Sequence, residues 1–430
     1  MPKDMVDQTS IYERRESNAR SYCRNMDAVF TKASGSEMFD IDGKRYIDFL
    51  AGCSSLNYGH NDPDMKAALI EHISRDGIAH GLDFHTDAKS AFLQAFEDHI
   101  LAPRGMDYKV MMTGPTGTNA VEAAVKLARK VTGRRNVISF TNGFHGMTMG
   151  ALALTGNKGK RGGAGTGSLT DVTHLPFEGS LGEDVDTLQV IEAMLSNPSS
   201  GIDAPAAFIF EPIQGEGGLN AASDEWMRGI EKLAREHGAL LIIDDIQSGC
   251  GRTGTYFSFE ASGIKPDMVT QAKSLSGFGL PFAALLIKPE YDTWKPAEHN
   301  GTFRGNTHAF VTARVAFEKF WADDTFEKSL AHKSVLLTTA LNDVAELIDG
   351  ATLKGRGLMQ GVDVGSGELA GAICARAYEL GLVIETSGAH DEVVKYLAPL
   401  TTSQEVMREG FDILMQATRD VTKTLKMAAE

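Results

Sequence analysis

Residues 237–281, HGALLIIDDIQSGCGRTGTYFSFEASGIKPDMVTQAKSLSGFGLP, decide the fold. Four large aliphatics at 240–243 end abruptly in Asp244 and Asp245, and a glycine-rich turn follows. A short, wholly apolar run closed by a carboxylate has the pattern of a buried parallel strand that delivers an acid to the rim of a sheet. Further on, Lys273 follows the short apolar segment 268–270 and precedes a Ser/Gly loop, so a lysine stands at a second strand end. In an open α/β sheet both groups face the crevice at the carboxyl edge, where such folds bind ligands. Alternation along the strand turns Asp245 away from Asp244 and gives it a structural role.

Working outward, residues 60–325 alternate apolar strands with amphipathic helices, as expected of one large α/β domain. The clearest strands are 136–140, 206–210, 240–243 and 282–287. Ser223 caps a helix that carries Asp224 and Glu225 in its first turn, Trp226, Ile230, Leu233 and Ala234 on one face, and Gly238 as its stop. Before the large domain, MFDIDGKRYIDF at 38–49 sets Asp42-Gly43 between two alternating runs, a hairpin signal. After it come helical segments, the apolar runs 358–364 and 393–397, and a last helix read as starting at Thr402 with Glu405 in capping-box position. Residues 1–59 and 326–430 together are expected to form a small α+β domain. The glycines of GNKGKRGGAGTGS, 156–168, suit a surface loop or lid.

The chain has 430 residues, 42% of them hydrophobic and 23% charged, with a formal net charge of −15. That charge disfavours nucleic-acid and acidic-membrane partners. MPKDMVDQTS lacks an apolar h-region and no run of eighteen apolar residues occurs, so a cytoplasmic location is expected. Cys23, Cys53, Cys250 and Cys374 have no CxxC spacing and are read as isolated thiols. Neither HExxH nor a paired-histidine spacing offers metal ligands.

The chemistry gathers at the βα junctions. TGPTGTNAVEAAVKLARKV, 113–131, sets a Gly/Thr turn before a helix, which aims free N–H groups and the positive end of the helix dipole at an anion. Gly117 allows close approach, and Thr116 and Thr118 add hydroxyls; the loop lacks the ending of a P-loop. Phe144 and His145 follow the strand at 136–140, and each is either a ring contact or a core side chain. The strand before Glu211 also ends in an acid and runs on to Glu216. An anion site, an aromatic, several acids and a lysine at one sheet edge ask for a ligand with a phosphate, a flat basic ring and a carbonyl. Pyridoxal 5′-phosphate has them all.

IDDIQSGCGRTG, TQAKSLSGFGLP, EPIQGEGG, GTNAVEAAVKLAR and NGFHG together resemble the class III (ω-amino acid) aminotransferases of fold type I. FLAGCSSLNYGHNDP, DGIAHGLDF, NGTFRGN, GRGLMQGVDVGSG and GLVIETSG extend the likeness over nearly the whole chain, and it is greatest to the diaminobutyrate branch of ectoine synthesis. The resemblance implies that Lys273 binds the cofactor's aldehyde, Asp244 its ring nitrogen and Gln247 its phenolic oxygen. It also implies that Phe144 stacks on the ring and that Gly117 and Thr118 hold the phosphate; Glu211, an acid at a strand end on the same sheet edge, is read as a further cofactor-site residue. Thr302 would reach the phosphate in a neighbouring protomer, hence a homodimer or higher homo-oligomer. The implied reaction moves an amino group from L-glutamate to L-aspartate 4-semialdehyde, giving L-2,4-diaminobutyrate and 2-oxoglutarate.

Two positions depart from the ornithine and γ-aminobutyrate branches. Met147 stands where those have a carboxylate-binding arginine, and Lys395 stands near a second one. A lysine lacks the bidentate fork of arginine. Glu216 matches a glutamate that pairs with that second arginine in the ornithine branch, so Glu216 and Lys395 are candidate substrate contacts. Another ω-amino acid transaminase, an aminomutase that needs no 2-oxoglutarate, and a binding protein that kept the fold without the chemistry are the alternatives.

Overall fold

The computed structural model describes residues 8–164 and 169–429. Residues 1–7 of the opening stretch, and 165–168 of the glycine-rich segment, lie outside that description. Seven strands make the central sheet: β1 (Lys109–Met112), β2 (Val137–Phe140), β3 (Val172–Leu175), β4 (Ala207–Phe210), β5 (Leu240–Asp244), β6 (Met268–Gln271) and β7 (Ala284–Ile287). Their order is β1-β7-β6-β5-β4-β2-β3. Strands β3, β2, β4, β5 and β6 run parallel, while β7 is antiparallel to both β6 and β1. This is the mainly parallel α/β sheet expected from the sequence.

Every residue of β2, β4, β5, β6 and β7 is buried, as a sheet covered on both faces requires. Alternate residues feed two separate cores. Leu241 and Ile243 join Phe208, Phe210 and Trp226 on one face. Leu240 and Ile242 join Ile209 and helix α1 (Gly117–Thr132) on the other, through Val121, Ala124 and Leu127. The small residues Ala120, Ala123 and Ala124 are completely buried, so α1 lies close against the sheet.

The two ends of the chain meet in one sheet. Glu37–Asp40 and Arg45–Asp48 form the expected antiparallel hairpin around Gly43, whose φ of +86° only glycine adopts without strain. Leu382–Val383, from the far end of the chain, pairs parallel with Arg45–Asp48. Beside it lies a second sheet of Thr352–Arg356, Met359–Asp363, Val393–Tyr396 and Glu385–Ser387. From this shared sheet we propose the partition into a small domain, 1–59 with 326–430, and a large domain, 60–325.

Local readings need two corrections. The last helix is Gln404–Ala429, and Ser403 rather than Thr402 caps it, accepting the N–H of Val406 at 3.3 Å. Thr402 is already committed, since its hydroxyl contacts Ser36 Oγ at 2.6 Å and donates to the Pro399 carbonyl at 2.6 Å. Within the segment read as plain loop, Lys158–Arg161 form one helical turn, begun by Asn157 accepting the N–H of Lys160.

The glycine turn after β5 is tied to the terminal domain by Arg252, which is wholly buried. Its guanidinium donates to Ser54 Oγ (3.1 Å), Asn57 Oδ1 (2.5 Å) and the carbonyls of Leu358 (3.2 Å) and Ala398 (2.6 Å). Burial lowers its pKa to about 10. Arg252→Met would leave the buried carbonyls of Leu358 and Ala398 without this donor, and we expect it to cost roughly 3–5 kcal/mol, read as a lowered urea midpoint.

Candidate active site

Asp244 is the last residue of β5, and its register partner on β6 is Thr270. Pairing in register therefore puts a hydroxyl beside the carboxylate, and Thr270 Oγ1 donates to Asp244 Oδ1 at 3.1 Å. The other oxygen, Oδ2, lies 2.7 Å from His145 Nδ1, and the backbone N–H of Ile246 reaches Oδ1 at 3.3 Å. Both side chains are buried. Burial opposes charge on His145, but the hydrogen bond and charge of Asp244 outweigh it and raise the imidazole above its ordinary pKa. The imidazole thus supplies the hydrogen-bond partner that a buried carboxylate needs.

Lys273 follows β6 after Ala272 and opens a short 3-10 turn, with φ of +50°. A left-handed lysine costs about 1 kcal/mol, the kind of strain that gathers where a side chain must be aimed. Its Nζ donates to the Cys53 carbonyl at 3.0 Å. Opposite, α1 begins at Gly117, and Thr116 makes no side-chain cap, so the first N–H groups of the helix are left for a ligand. A Cβ at Gly117 would stand 2.8 Å from Ile246 Cδ1, so a larger residue there would push the end of that side chain aside. The two hydroxyls have other partners: Thr118 Oγ1 contacts Thr148 Oγ1 at 2.7 Å, and Thr116 Oγ1 accepts from Asn119 at 2.7 Å.

Glu211 is buried, and it accepts the N–H of Phe144 (2.8 Å) and that of Gly215 (3.1 Å), joining the loops after β2 and β4. Burial pushes its pKa up to about 7. Gln247 donates from Nε2 to Glu216 at 3.3 Å, while its Oε1 is buried without a partner. Lys395, fully buried, lies 3.1 Å from Glu216 Oε1 and 2.9 Å from Glu385 Oε1. Glu216 is held down to about 2, chiefly by the charge of Lys395.

One cavity of about 370 Å³ is lined by Gly117, Thr118, Phe144, Glu211, Glu216, Asp244, Gln247 and Lys273. Two anticipated residues stand apart. Thr302 is exposed, on a loop beside Leu82 and Arg304, and Lys395 lies behind Glu216 and does not line the cavity. The sequence leaves His145 undecided and does not mark Thr270, Tyr22 or Glu385 as site residues. A histidine after the aromatic and a threonine before the lysine are visible in the chain, but only the strand register brings Thr270, and the loop after β2 brings His145, to Asp244.

This fold and this wall define a class of enzyme. The chain belongs to the class-III aminotransferases, whose family model matches residues 19–418. Over 416 residues it is 53% identical to the diaminobutyrate–2-oxoglutarate transaminase of Halomonas elongata, covering 96% of this chain and 99% of that protein. It is 52% identical over 429 residues to the enzyme so named in Vibrio parahaemolyticus, covering 97% and 100%. An ornithine aminotransferase from Toxoplasma gondii superposes with a TM-score of 0.83 at 26% identity, covering 99% and 96%. A Virgibacillus transaminase shares the fold at a TM-score of 0.86 and 20% identity, covering 97% and 99%.

Enzymes of this class work with pyridoxal 5′-phosphate, and the wall fits that group. A lysine and a buried acid line one cavity, an uncapped helix start offers an anion site, and the orphaned Gln247 Oε1 marks a polar atom in want of a partner.

Asp245, read as structural, is buried on the far side of the strand, where it accepts hydrogen bonds from Ser248 Oγ, Ser258 Oγ and the Ser258 N–H. Burial outweighs these donors and raises its pKa from 3.8 to about 7. The folded state thus holds this proton more tightly than the unfolded chain does. The resulting stability is complete below pH 3.8 and is lost as pH rises through about 7. Denaturant titrations should show the wild type losing stability relative to Asp245→Asn across that window, and a constant difference between the two would contradict it.

Proposed function

We propose that this aminotransferase moves the amino group of L-glutamate to L-aspartate 4-semialdehyde, giving L-2,4-diaminobutyrate and 2-oxoglutarate in two half-reactions at one site. The observation that carries the chemistry is the convergence of Lys273, Asp244, Gln247 and the start of α1 on one cavity. The choice of substrates rests on the relatives at 52–53% identity over nearly the whole chain. Ectoine synthesis under osmotic stress, in the cytoplasm, is the corresponding setting.

When bound, pyridoxal 5′-phosphate supplies an electron sink for the pair left as a proton departs the substrate carbon. Lys273 would hold it by its aldehyde carbon and, once released by the substrate amine, would carry the proton away from the substrate carbon. Asp244 would keep the ring nitrogen protonated, with His145 and Thr270 holding both of its oxygens in place. Gln247 would contact the phenolic oxygen, and Phe144, fixed by Glu211 through its backbone, would cover the ring. Gly117 and Thr118 would present N–H groups to the phosphate. Glu216 and Lys395 would meet the substrate's carboxylate end.

Thr302 would act in a second copy of the chain, which makes the enzyme a homodimer or a larger homo-oligomer. Phe303, Phe84 and Leu82 around it are exposed at 66%, 67% and 45%, an apolar surface of the kind a partner covers.

The holoenzyme should be yellow, and Lys273→Ala should lose the visible band; an unchanged spectrum would refute the assignment of that lysine. Asp244→Asn should keep cofactor yet lose roughly a thousandfold or more in turnover. A panel of amine donors and aldehyde acceptors, followed by product analysis, tests the substrates. Amino transfer within one molecule and without 2-oxoglutarate would identify an aminomutase instead. Sedimentation should give a dimer or larger, and a monomeric holoenzyme would remove Thr302 from the site.

A further inference from the structure

Lys395 carries one positive charge and has two carboxylate neighbours, and these neighbours are held in different ways. Glu385 is its register partner across the strand pair Glu385–Ser387 and Val393–Tyr396. It is only 8% exposed, its Oε1 lies 2.9 Å from Lys395 Nζ, and its Oε2 accepts the hydroxyl of Tyr22 at 3.1 Å. That hydroxyl is also 2.7 Å from Cys53 Sγ, and the carbonyl of Cys53 accepts Lys273 Nζ. Strand pairing and the tyrosine thus fix Glu385 at both ends. Glu216 lies on the turn that ends in Gly218 (φ +101°), with 32% of its side chain open and its carboxylate in the wall of the cavity. Its ties are Lys395 Nζ at 3.1 Å and the Gln247 amide at 3.3 Å.

We propose that Glu385 is the permanent counter-ion of Lys395, that Glu216 alone yields its place to a substrate carboxylate, and that Glu385 thereby sets how tightly the site holds dicarboxylic substrates. The charges make the case. With both acids on Lys395 the cluster carries one net negative charge. When a substrate carboxylate replaces Glu216, Lys395 again faces two carboxylates, so the lysine's own charge is paired in the same way before and after the exchange. Without Glu385 the vacated lysine would carry a bare positive charge and would grip any carboxylate more strongly. Tyr22 takes part by drawing charge from Glu385 away from Lys395, and both are positioning residues. The site must receive glutamate in one half-reaction and bind diaminobutyrate, with one carboxylate fewer, in the other. A damped cation suits that alternation.

The inference rests on the proposed use of glutamate as donor, and its test is independent of the acceptor. Glutarate, a dicarboxylate without an amine, serves as competitor in the glutamate half-reaction of the holoenzyme, followed by the cofactor's spectrum. Glu385→Gln should lower the inhibition constant of glutarate about tenfold, and Glu385→Asp should restore it toward the wild-type value. Tyr22→Phe, at a half-exposed ring whose loss does not threaten folding, should act in the opposite sense and raise that constant about threefold. The KM for diaminobutyrate should move less than that for glutamate in each variant. A glutarate constant that is unchanged or raised in a folded Glu385→Gln holoenzyme, or unchanged or lowered in Tyr22→Phe, overturns the proposal. Failure of the wild type to use diaminobutyrate would refute the substrate assignment and leave the glutarate comparison intact.

Discussion

The clamp on Asp244 is the constraint on which the site depends. A carboxylate buried at a dry sheet edge is costly unless its oxygens have partners, and here they come from two other segments and from its own turn. Parallel pairing of β5 with β6 sets Thr270 beside it, and the loop after β2 brings His145. The loop after β4 joins in through Glu211, which holds the backbone of Phe144, the residue before that histidine. An acid at one strand end, a lysine at the next and an aromatic at a third therefore come into mutual reach only when the sheet order β6-β5-β4-β2 is in place. The site cannot form from a locally correct fragment.

Much of this was legible in the chain because it depends on local rules. Buried parallel strands announce themselves as short apolar runs, and the runs ending at Asp244, Glu211 and Phe140 lie where they were expected. β1 and β3 were not among the strands singled out. They form the edges of the sheet and are only partly buried, so their residues, such as Thr173 and His174, carry a weak apolar signal. The antiparallel direction of β7 was equally unreadable, since a fully buried strand looks the same in either direction. Thr402 and Ser403 are equal candidates in sequence for the cap of the last helix. Only the bond to the Pro399 carbonyl decides between them.

Charge compensation was the least legible part. Lys395 stands out as a departure from arginine, but its partner Glu385 sits ten positions earlier in the run GLVIETSG. Nothing in that spacing foretells an ion pair. The pairing follows from the register of two short strands, and Tyr22 joins from a segment more than 360 residues away. Side chains that manage charge behind the cavity wall are determined by tertiary geometry, whereas those that touch the ligand sit at strand ends and helix starts that the sequence marks.

The parallel pairing of Leu382–Val383 with Arg45–Asp48 also bears on the birth of the molecule. During synthesis the hairpin near the amino terminus emerges early, yet the strand that completes its sheet leaves the ribosome only after some 380 residues have been made. At ordinary elongation rates that delay is on the order of tens of seconds. For all that time the edge at Arg45–Asp48 offers unpaired N–H and carbonyl groups to any neighbouring nascent chain. The Arg45 side chain on that strand, paired with Glu37 of the same hairpin, is charged and discourages such an encounter until the carboxyl-terminal strand arrives.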